Sequence, residues 1–190
     1  MSTTMRVAPP LQVAQWFNTP APLTLEARRG RVVVLHAFQM LCPPCVSHGL
    51  PQAQRLHQLF PTEQLAVIGL HTVFEHHAVM GQAAALQAFL HEYRLTFPVG
   101  VDQPDGAEGV PLTMQALQLR GTPSLVVLDK RGRARLHHFG AIDDLPLGAL
   151  LGALIGEPDG DALAPSGNAA SVDGCDARGC PLPSSPPVAA

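Results

Sequence analysis

The sequence predicts an α/β fold in which helices cover both faces of a mixed central β-sheet. The first indication is the continuous apolar run VVVLHAF at 32–38, which is typical of a central strand covered on both sides. From Val46 to Phe60 the apolar residues then recur at steps of three and four, which marks one face of a helix. Two later strand-like segments, 125–129 and 134–139, are joined across a short turn and predict a hairpin.

The middle of the chain continues this alternation. The run LAVIGL at 65–70 indicates a second buried strand, and apolar residues at helical spacing follow at 86–93. A further short strand is expected at 97–101. The segment 72–101 is therefore interpreted as an insertion between the second strand and the later helix-hairpin unit.

Two more helices complete the prediction. One spans 112–120, and Gly121 is expected to close it as a C-terminal cap. The other begins near Asp143 or Asp144, either of which can cap it, and carries leucines on one face up to Gly156.

Composition divides the chain into three parts. Residues 1–22 are rich in proline and are predicted to be irregular, although Trp16 and Phe17 should dock on the domain. Residues 23–156 carry the α/β pattern. Residues 157–190 contain six prolines and four glycines, too little apolar surface to order themselves, and predict a flexible tail.

The overall composition argues against several classes of partner. The net charge is −3, basic residues form no long cluster, and a single Trp and a single Tyr are available to stack on bases, which argues against nucleic acid. No apolar stretch has the length of a signal peptide or a membrane span. These observations predict a cytoplasmic protein with no membrane partner, and no cofactor is expected.

The motif Cys42-Pro43-Pro44-Cys45 lies between the first predicted strand and its helix. Thiol-disulfide exchange needs a thiolate that attacks a disulfide and a second thiol that resolves the mixed disulfide. At a helix start, unpaired N–H groups and the helix dipole favour a thiolate on the first cysteine. Cys42 is therefore predicted to attack and Cys45 to resolve, and prolines are tolerated in the first helical turn between them.

The cysteines also allow an alternative hypothesis from a different class of function, in which they belong to a metal-handling module that binds copper or zinc. Zinc prefers four ligands in a compact cluster, whereas the second cysteine pair lies far along the sequence. Copper is suggested by three histidines close together, His71, His76 and His77. Inert buried thiols are a further alternative.

The chain resembles the thioredoxin superfamily, and more closely its TlpA-like disulfide reductases. The resemblance is carried by the strand 32–38, by the CPPC motif, and by Gly121-Thr122-Pro123-Ser124 directly before the strand 125–129. It implies a thioredoxin fold and a thiol-disulfide oxidoreductase activity on protein or small-molecule disulfides. A thiol reductant system would supply the electrons. It also implies a cis peptide before Pro123, and a substrate-facing surface formed by Thr122 and Pro123 with Pro43 and Pro44.

Three residues depart from the pattern of that family. Leu41 stands where Trp often precedes the first cysteine, and His48 stands where TlpA-like proteins often have Glu. His36 occupies the position of the buried Asp of thioredoxins, six residues before the first cysteine. Because His accepts protons near neutral pH, His36 is a candidate proton acceptor for Cys45; the alternative is a core histidine satisfied by a backbone partner.

A second cysteine pair, Cys175 and Cys180, lies in the predicted tail. We consider it a possible second redox pair that exchanges with the first and passes electrons onward. A soft-metal tether and incidental thiols are the alternatives. Nothing in the sequence places the tail near the CPPC motif.

Overall fold

The computed structural model describes residues 6–106 and 109–158. Within them, six strands form one sheet in the order β1-β4-β3-β2-β5-β6. The strands are β1 Val13–Phe17, β2 Val32–Phe38, β3 Leu65–His71, β4 Val99–Asp102, β5 Ser124–Leu128 and β6 Ala134–Phe139. The same residues also form one 3-10 turn, Glu26–Arg28, and one π-helical turn, Cys45–Gly49. The helices are α1 Leu50–Leu59, α2 His77–Met80, α3 Ala83–Glu92, α4 Leu112–Ala116 and α5 Asp144–Gly156.

The sheet is mixed, as predicted. Strands β2, β3 and β4 run parallel to one another, while β5 and β1 are antiparallel to their neighbours and β6 is antiparallel to β5. Every residue of β2 is buried, which explains why its sequence is apolar without alternation. Its strand bounds and the hairpin of β5 with β6 agree with the sequence prediction.

Side chains of β2 alternate between two apolar cores. The first core contains Val34 and Phe38 of β2 and apolar residues of α1, α3 and α5. The second contains Leu35 and Ala37 of β2 with Met114 of α4. Helices therefore lie on both faces of the sheet, which confirms the predicted fold class.

The prediction of an irregular segment at 1–22 is wrong at 13–17. This segment forms β1, an edge strand that pairs antiparallel with β4 from Val13 opposite Asp102 to Phe17 opposite Val99. Flanking prolines and a register shift after Val13 concealed the strand from the sequence pattern. The expected docking is confirmed, because Trp16 packs against the second core and Phe17 against the first.

The predicted cap at Gly121 is also wrong. Helix α4 ends earlier, and Gln118 takes the left-handed conformation with φ 54°. The N–H of Gln118 donates to the carbonyl of Gln115 at 2.9 Å, and that of Leu119 donates to the carbonyl of Met114 at 3.0 Å. These two bonds form a Schellman motif and satisfy the last carbonyls before Gly121 is reached.

Helix α5 starts at Asp144 with Asp143 as the N-cap residue, as expected, but no side chain caps it. Instead, the carboxylate of Asp144 accepts hydrogen bonds from Gln52 at 2.7 Å and from Arg55 at 3.0 Å. Asp144 thus joins α5 to α1. The hydrogen bond from Gln52 and the charge of Arg55 lower the pKa of Asp144.

Candidate active site

Cys42 lies at the start of the helix that follows β2, and it forms a disulfide with Cys45. Its carbonyl accepts the N–H of Val46 at 3.1 Å, while its Sγ accepts the N–H of Cys45 at 3.3 Å. The sulfur thus occupies the place of an N-cap side-chain oxygen, three residues before the donor. The same N–H can stabilise a thiolate on Cys42 after reduction.

Pro43 and Pro44 fill the first two helical positions, where neither has an N–H to donate. The N–H of Cys45 is therefore the first backbone donor of this helix. This arrangement agrees with the sequence expectation that prolines are tolerated here, because those N–H groups have no intrahelical partner.

The two sulfurs differ in accessibility. Cys45 is 0% exposed and belongs to the first core, whereas Cys42 is half-buried and its neighbours Pro43 and Pro44 are exposed. An external disulfide can therefore approach Cys42 but not Cys45.

A π-helical turn at Cys45–Gly49 changes the face of the helix that is buried. Its wider winding rotates the residues before Leu50 relative to α1. As a result Cys45, Leu50 and Ala53 lie in the first core, whereas Val46 does not. The inclusion of Val46 in the predicted apolar face was wrong for this reason.

The segment Gly121-Thr122-Pro123 forms a wall beside Cys42. The Thr122–Pro123 peptide bond is cis, and the carbonyl oxygen of Thr122 lies 3.6 Å from Sγ of Cys42. The wall is held at both ends: the Ser124 hydroxyl donates to the carbonyl of Gly121 at 2.7 Å, and the N–H of Gly140 donates to that of Pro123 at 2.9 Å.

Gln39 supports the loop before Cys42, and sequence reasoning missed it. Its side-chain amide is buried and donates to the carboxylate of Glu75 at 3.1 Å, while its backbone carbonyl accepts the N–H of Cys42 at 3.2 Å. The available signal was a polar residue directly after a fully buried strand. Such a residue needs partners when buried, and Gln39 finds them in the loop after β3.

His36 lies on β2 beneath the π-helical turn. It is 3% exposed, and a Cβ built on Gly49 would lie 2.6 Å from its Nε2 and closer still to its Cε1, so the imidazole packs directly on Gly49. Within the described residues Nε2 has no hydrogen-bond partner. Burial lowers the pKa of His36 to about 4, which keeps the ring neutral at pH 7.

The other predicted histidines do not gather at the cysteines. His48 lies 3.4 Å from the carbonyl of Ile142 through Nε2. His71 is buried at the end of β3, while His76 is exposed before α2. Among the residues that the structure describes, no group of three or more His, Cys, Asp or Glu side chains is arranged to hold a metal ion. Cys175 and Cys180 lie outside the described residues.

Comparisons with known proteins agree with this geometry. A thioredoxin-like superfamily protein of known structure is 57% identical to this chain, with a TM-score of 0.76. The aligned region covers 80% of this chain and 97% of that protein. A thiol-disulfide isomerase from Corynebacterium glutamicum is 46% identical to this chain, with a TM-score of 0.77. The aligned region covers 82% of this chain and 99% of that protein. The chain belongs to the thioredoxin-like superfamily, and its structural relatives are thiol-disulfide oxidoreductases.

Two further comparisons are more limited. NHL repeat-containing protein 2 of Gallus gallus is 31% identical over 121 residues, which is 62% of this chain but only 15% of that protein's length. No protein-family model matches the sequence. No helix in the described part of the chain is long and apolar enough to cross a membrane.

Proposed function

We propose that this protein is a disulfide reductase in which Cys42 attacks a partner disulfide and Cys45 resolves the product. The observation that carries the proposal is the difference between the two sulfurs. Cys42 is accessible at a helix start and accepts the N–H of Cys45, whereas Cys45 is fully buried behind it. A thiolate is favoured where it can meet substrate, and the resolving thiol is kept away from solvent.

The reaction balances as two successive exchanges. The Cys42 thiolate attacks one sulfur of the partner disulfide, forms a mixed disulfide and releases the other partner sulfur as a thiolate. Deprotonated Cys45 then attacks Sγ of Cys42 and releases the second partner thiolate. The protein dithiol becomes the Cys42–Cys45 disulfide, and two electrons and two protons pass to the partner. A thiol reductant restores the dithiol.

Thr122 and Pro123, with Pro43 and Pro44, form the proposed substrate-facing surface. The 3.6 Å separation between Sγ of Cys42 and the carbonyl of Thr122 supports this assignment. A partner segment joined to Cys42 would lie along this wall, where backbone groups of Thr122 can pair with it. The proposed partners are therefore disulfide-bonded proteins or small disulfides. A cytoplasmic location stays a prediction.

His36 is the proposed proton acceptor for Cys45. A neutral imidazole has one nitrogen free to accept, and His36 lies under the turn that begins with Cys45. Its lowered pKa makes full proton transfer unfavourable, so a protonated His36 would exist only while the Cys45 thiolate attacks. His36→Ala should then slow resolution and change its pH dependence in stopped-flow exchange, while formation of the mixed disulfide keeps its rate. An unchanged pH profile of resolution would eliminate this role.

Turnover of insulin disulfides with dithiothreitol as reductant tests the proposed function. Wild type should accelerate insulin reduction, whereas Cys42→Ser should reduce the rate to the uncatalysed level. The double variant Cys175→Ser/Cys180→Ser is the matched control. It should keep the wild-type rate, because dithiothreitol can reduce the Cys42–Cys45 disulfide directly. Full activity in Cys42→Ser would contradict the proposal.

The metal-handling alternative gains no support from the described residues, where the cysteines form a disulfide and no ligand cluster surrounds them. The second redox pair in the tail stays a prediction. Mass spectrometry of resolving-cysteine variants tests it: a mixed disulfide of Cys42 with Cys175 or Cys180 is expected, and failure to trap either would count against a shuttle.

A further inference from the structure

Arg120 and Phe139 form an exposed pair beside the wall. The guanidinium carbon of Arg120 lies 5.2 Å from the centroid of the Phe139 ring, a cation–π arrangement. The ring is 45% exposed, so a partner can reach it. Phe139 lies opposite Ser124 in the β5–β6 ladder, at the end of the sheet that carries the wall.

The pair is connected to Cys42 through the backbone. A Cβ placed on Gly121 would lie 2.9 Å from Cε2 of Phe139, so the ring packs directly on Gly121. The next residue, Thr122, has its carbonyl 3.6 Å from Sγ of Cys42. Leu41, directly before Cys42, is also 58% exposed. Accessible apolar side chains thus occur on both chain segments that meet at Cys42.

The charge of Arg120 has no acidic partner within the described residues. Other arginines do pair with acidic side chains: Arg55 with Asp144, Arg133 with Asp129, and Arg135 with Asp129 and Glu157. Arg120 therefore keeps an exposed guanidinium whose position is restricted by the aromatic ring. A guanidinium binds a carboxylate through two parallel hydrogen bonds.

We propose that Arg120 and Phe139 form a specificity subsite that selects disulfide partners with an acidic side chain near the reacting cysteine. The proposal rests on the proposed function and names its substrate class. The Cα atoms of Arg120 and Thr122 are at most about 7.6 Å apart, and an extended partner advances roughly 3.3 Å per residue. Since the long Arg120 side chain reaches further along the partner, the recognised carboxylate belongs to a residue about two to four positions from the partner cysteine.

The test uses two disulfide-bonded peptides that differ only by Asp or Asn three residues from the cysteine. Second-order rate constants for reduction by the pre-reduced protein are measured at low and high salt. Wild type should reduce the Asp peptide about two- to fivefold faster at low salt, the range expected for an exposed ion pair. High salt should diminish this preference, because it screens exposed charges.

Variants then assign the effect. Arg120→Gln should bring the ratio of the two rates to about one, and Arg120→Glu should invert it. Arg94→Gln is the matched control, since Arg94 is an exposed arginine after α3, and it should retain the preference. Equal rates for both peptides in wild type, or the same fractional loss for both in Arg120→Gln, would overturn the subsite.

Neutral hydroxyethyl disulfide separates this proposal from the one on which it rests. If wild type reduces hydroxyethyl disulfide but does not distinguish Asp from Asn peptides, the subsite is wrong and the proposed function stands. If wild type reduces neither the peptides nor hydroxyethyl disulfide, the proposed function itself fails.

Discussion

At Cys42, sulfur performs the role that an oxygen performs at ordinary helix N-caps. Its Sγ accepts one backbone N–H, that of Cys45, and the two intervening prolines supply none. The number of donors around a thiolate affects its pKa, and the stability of the reduced form affects the reduction potential. The CPPC sequence therefore limits the stabilisation of the Cys42 thiolate.

Replacing Pro44 by Ala adds an N–H at the second helical position, which is within reach of an N-cap side chain. The extra donor should stabilise the thiolate and lower the pKa of Cys42, and a hydrogen bond worth about 1.4 kcal/mol would make the reduction potential about 30 mV less negative. Thiolate absorbance against pH and a glutathione redox titration measure the two quantities.

Pro43→Ala is the control for this prediction. It relaxes the same loop, but the N–H it adds is at the first helical position, which does not usually bond the cap side chain. Its effect on the pKa of Cys42 should be clearly smaller. Equal shifts in the two variants would mean that loop stiffness, and not the number of donors, controls the thiolate.

At the scale of elements, patterns that depend on burial alone were predictable. Strand β2 is covered on both sides and is apolar at every position except His36, and the β5–β6 hairpin has its turn signal between two segments of strand length. Strand β1 was not predictable because its stability comes from pairing with β4, which is distant in sequence. The π-helical turn at Cys45–Gly49 likewise leaves no periodic signal in five residues.

Helix α4 depends on Asp102, which no sequence signal had singled out. This buried carboxylate at the end of β4 accepts the N–H groups of Thr113 at 2.8 Å and of Met114 at 2.9 Å. Burial raises the pKa of Asp102, and these hydrogen bonds oppose that shift. Because only one short turn separates α4 from the wall at Gly121, the contact also positions the site.

Asp102→Ala should therefore lower the free energy of unfolding by about 1–3 kcal/mol, the cost of leaving buried donors without partners. It should also reduce the rate of disulfide reduction, because the wall loses its support. Chemical denaturation and insulin turnover measure the two effects. Asp105→Ala is the control, since the carboxylate of Asp105 accepts a hydrogen bond from the exposed side chain of Gln115. If Asp105→Ala lowered the free energy of unfolding as much as Asp102→Ala, this account would be contradicted.

At the scale of the whole molecule, two neutral histidines lie within the fold near Phe38. The ring centroid of Phe38 lies 6.3 Å from that of His36 and 5.3 Å from that of His71. Burial lowers the pKa of both histidines to about 4. The sequence indicated His36 through its spacing from Cys42. That its Nε2 has no hydrogen-bond partner within the described residues is a result of packing, which no local pattern encodes.

These pKa values make stability depend on pH. In the unfolded chain both histidines take up protons near pH 6.5, whereas the folded state resists protonation until about pH 4. The unfolded state therefore binds more protons in this window, and the free energy of unfolding falls as pH decreases from 6.5 to 4. Each histidine contributes at most about 3 kcal/mol to this loss.

Denaturant titrations at several pH values between 7 and 4 test this dependence. His71→Leu should remove roughly half of the loss attributed to the two histidines, as expected if they contribute independently. His91→Leu, at an exposed position, should retain all of it. If His71→Leu leaves the pH dependence unchanged, the buried neutral state of His71 is not its cause.

The central claim is that Cys42 attacks and Cys45 resolves, and trapping tests it most directly. Reduced Cys45→Ser is mixed with a disulfide-bonded peptide, and the product is digested and analysed by mass spectrometry. The account predicts a stable mixed disulfide between the peptide and Cys42, with no comparable adduct at Cys45 in Cys42→Ser because that sulfur is buried. An adduct that forms faster on Cys45 in Cys42→Ser than on Cys42 in Cys45→Ser would contradict it.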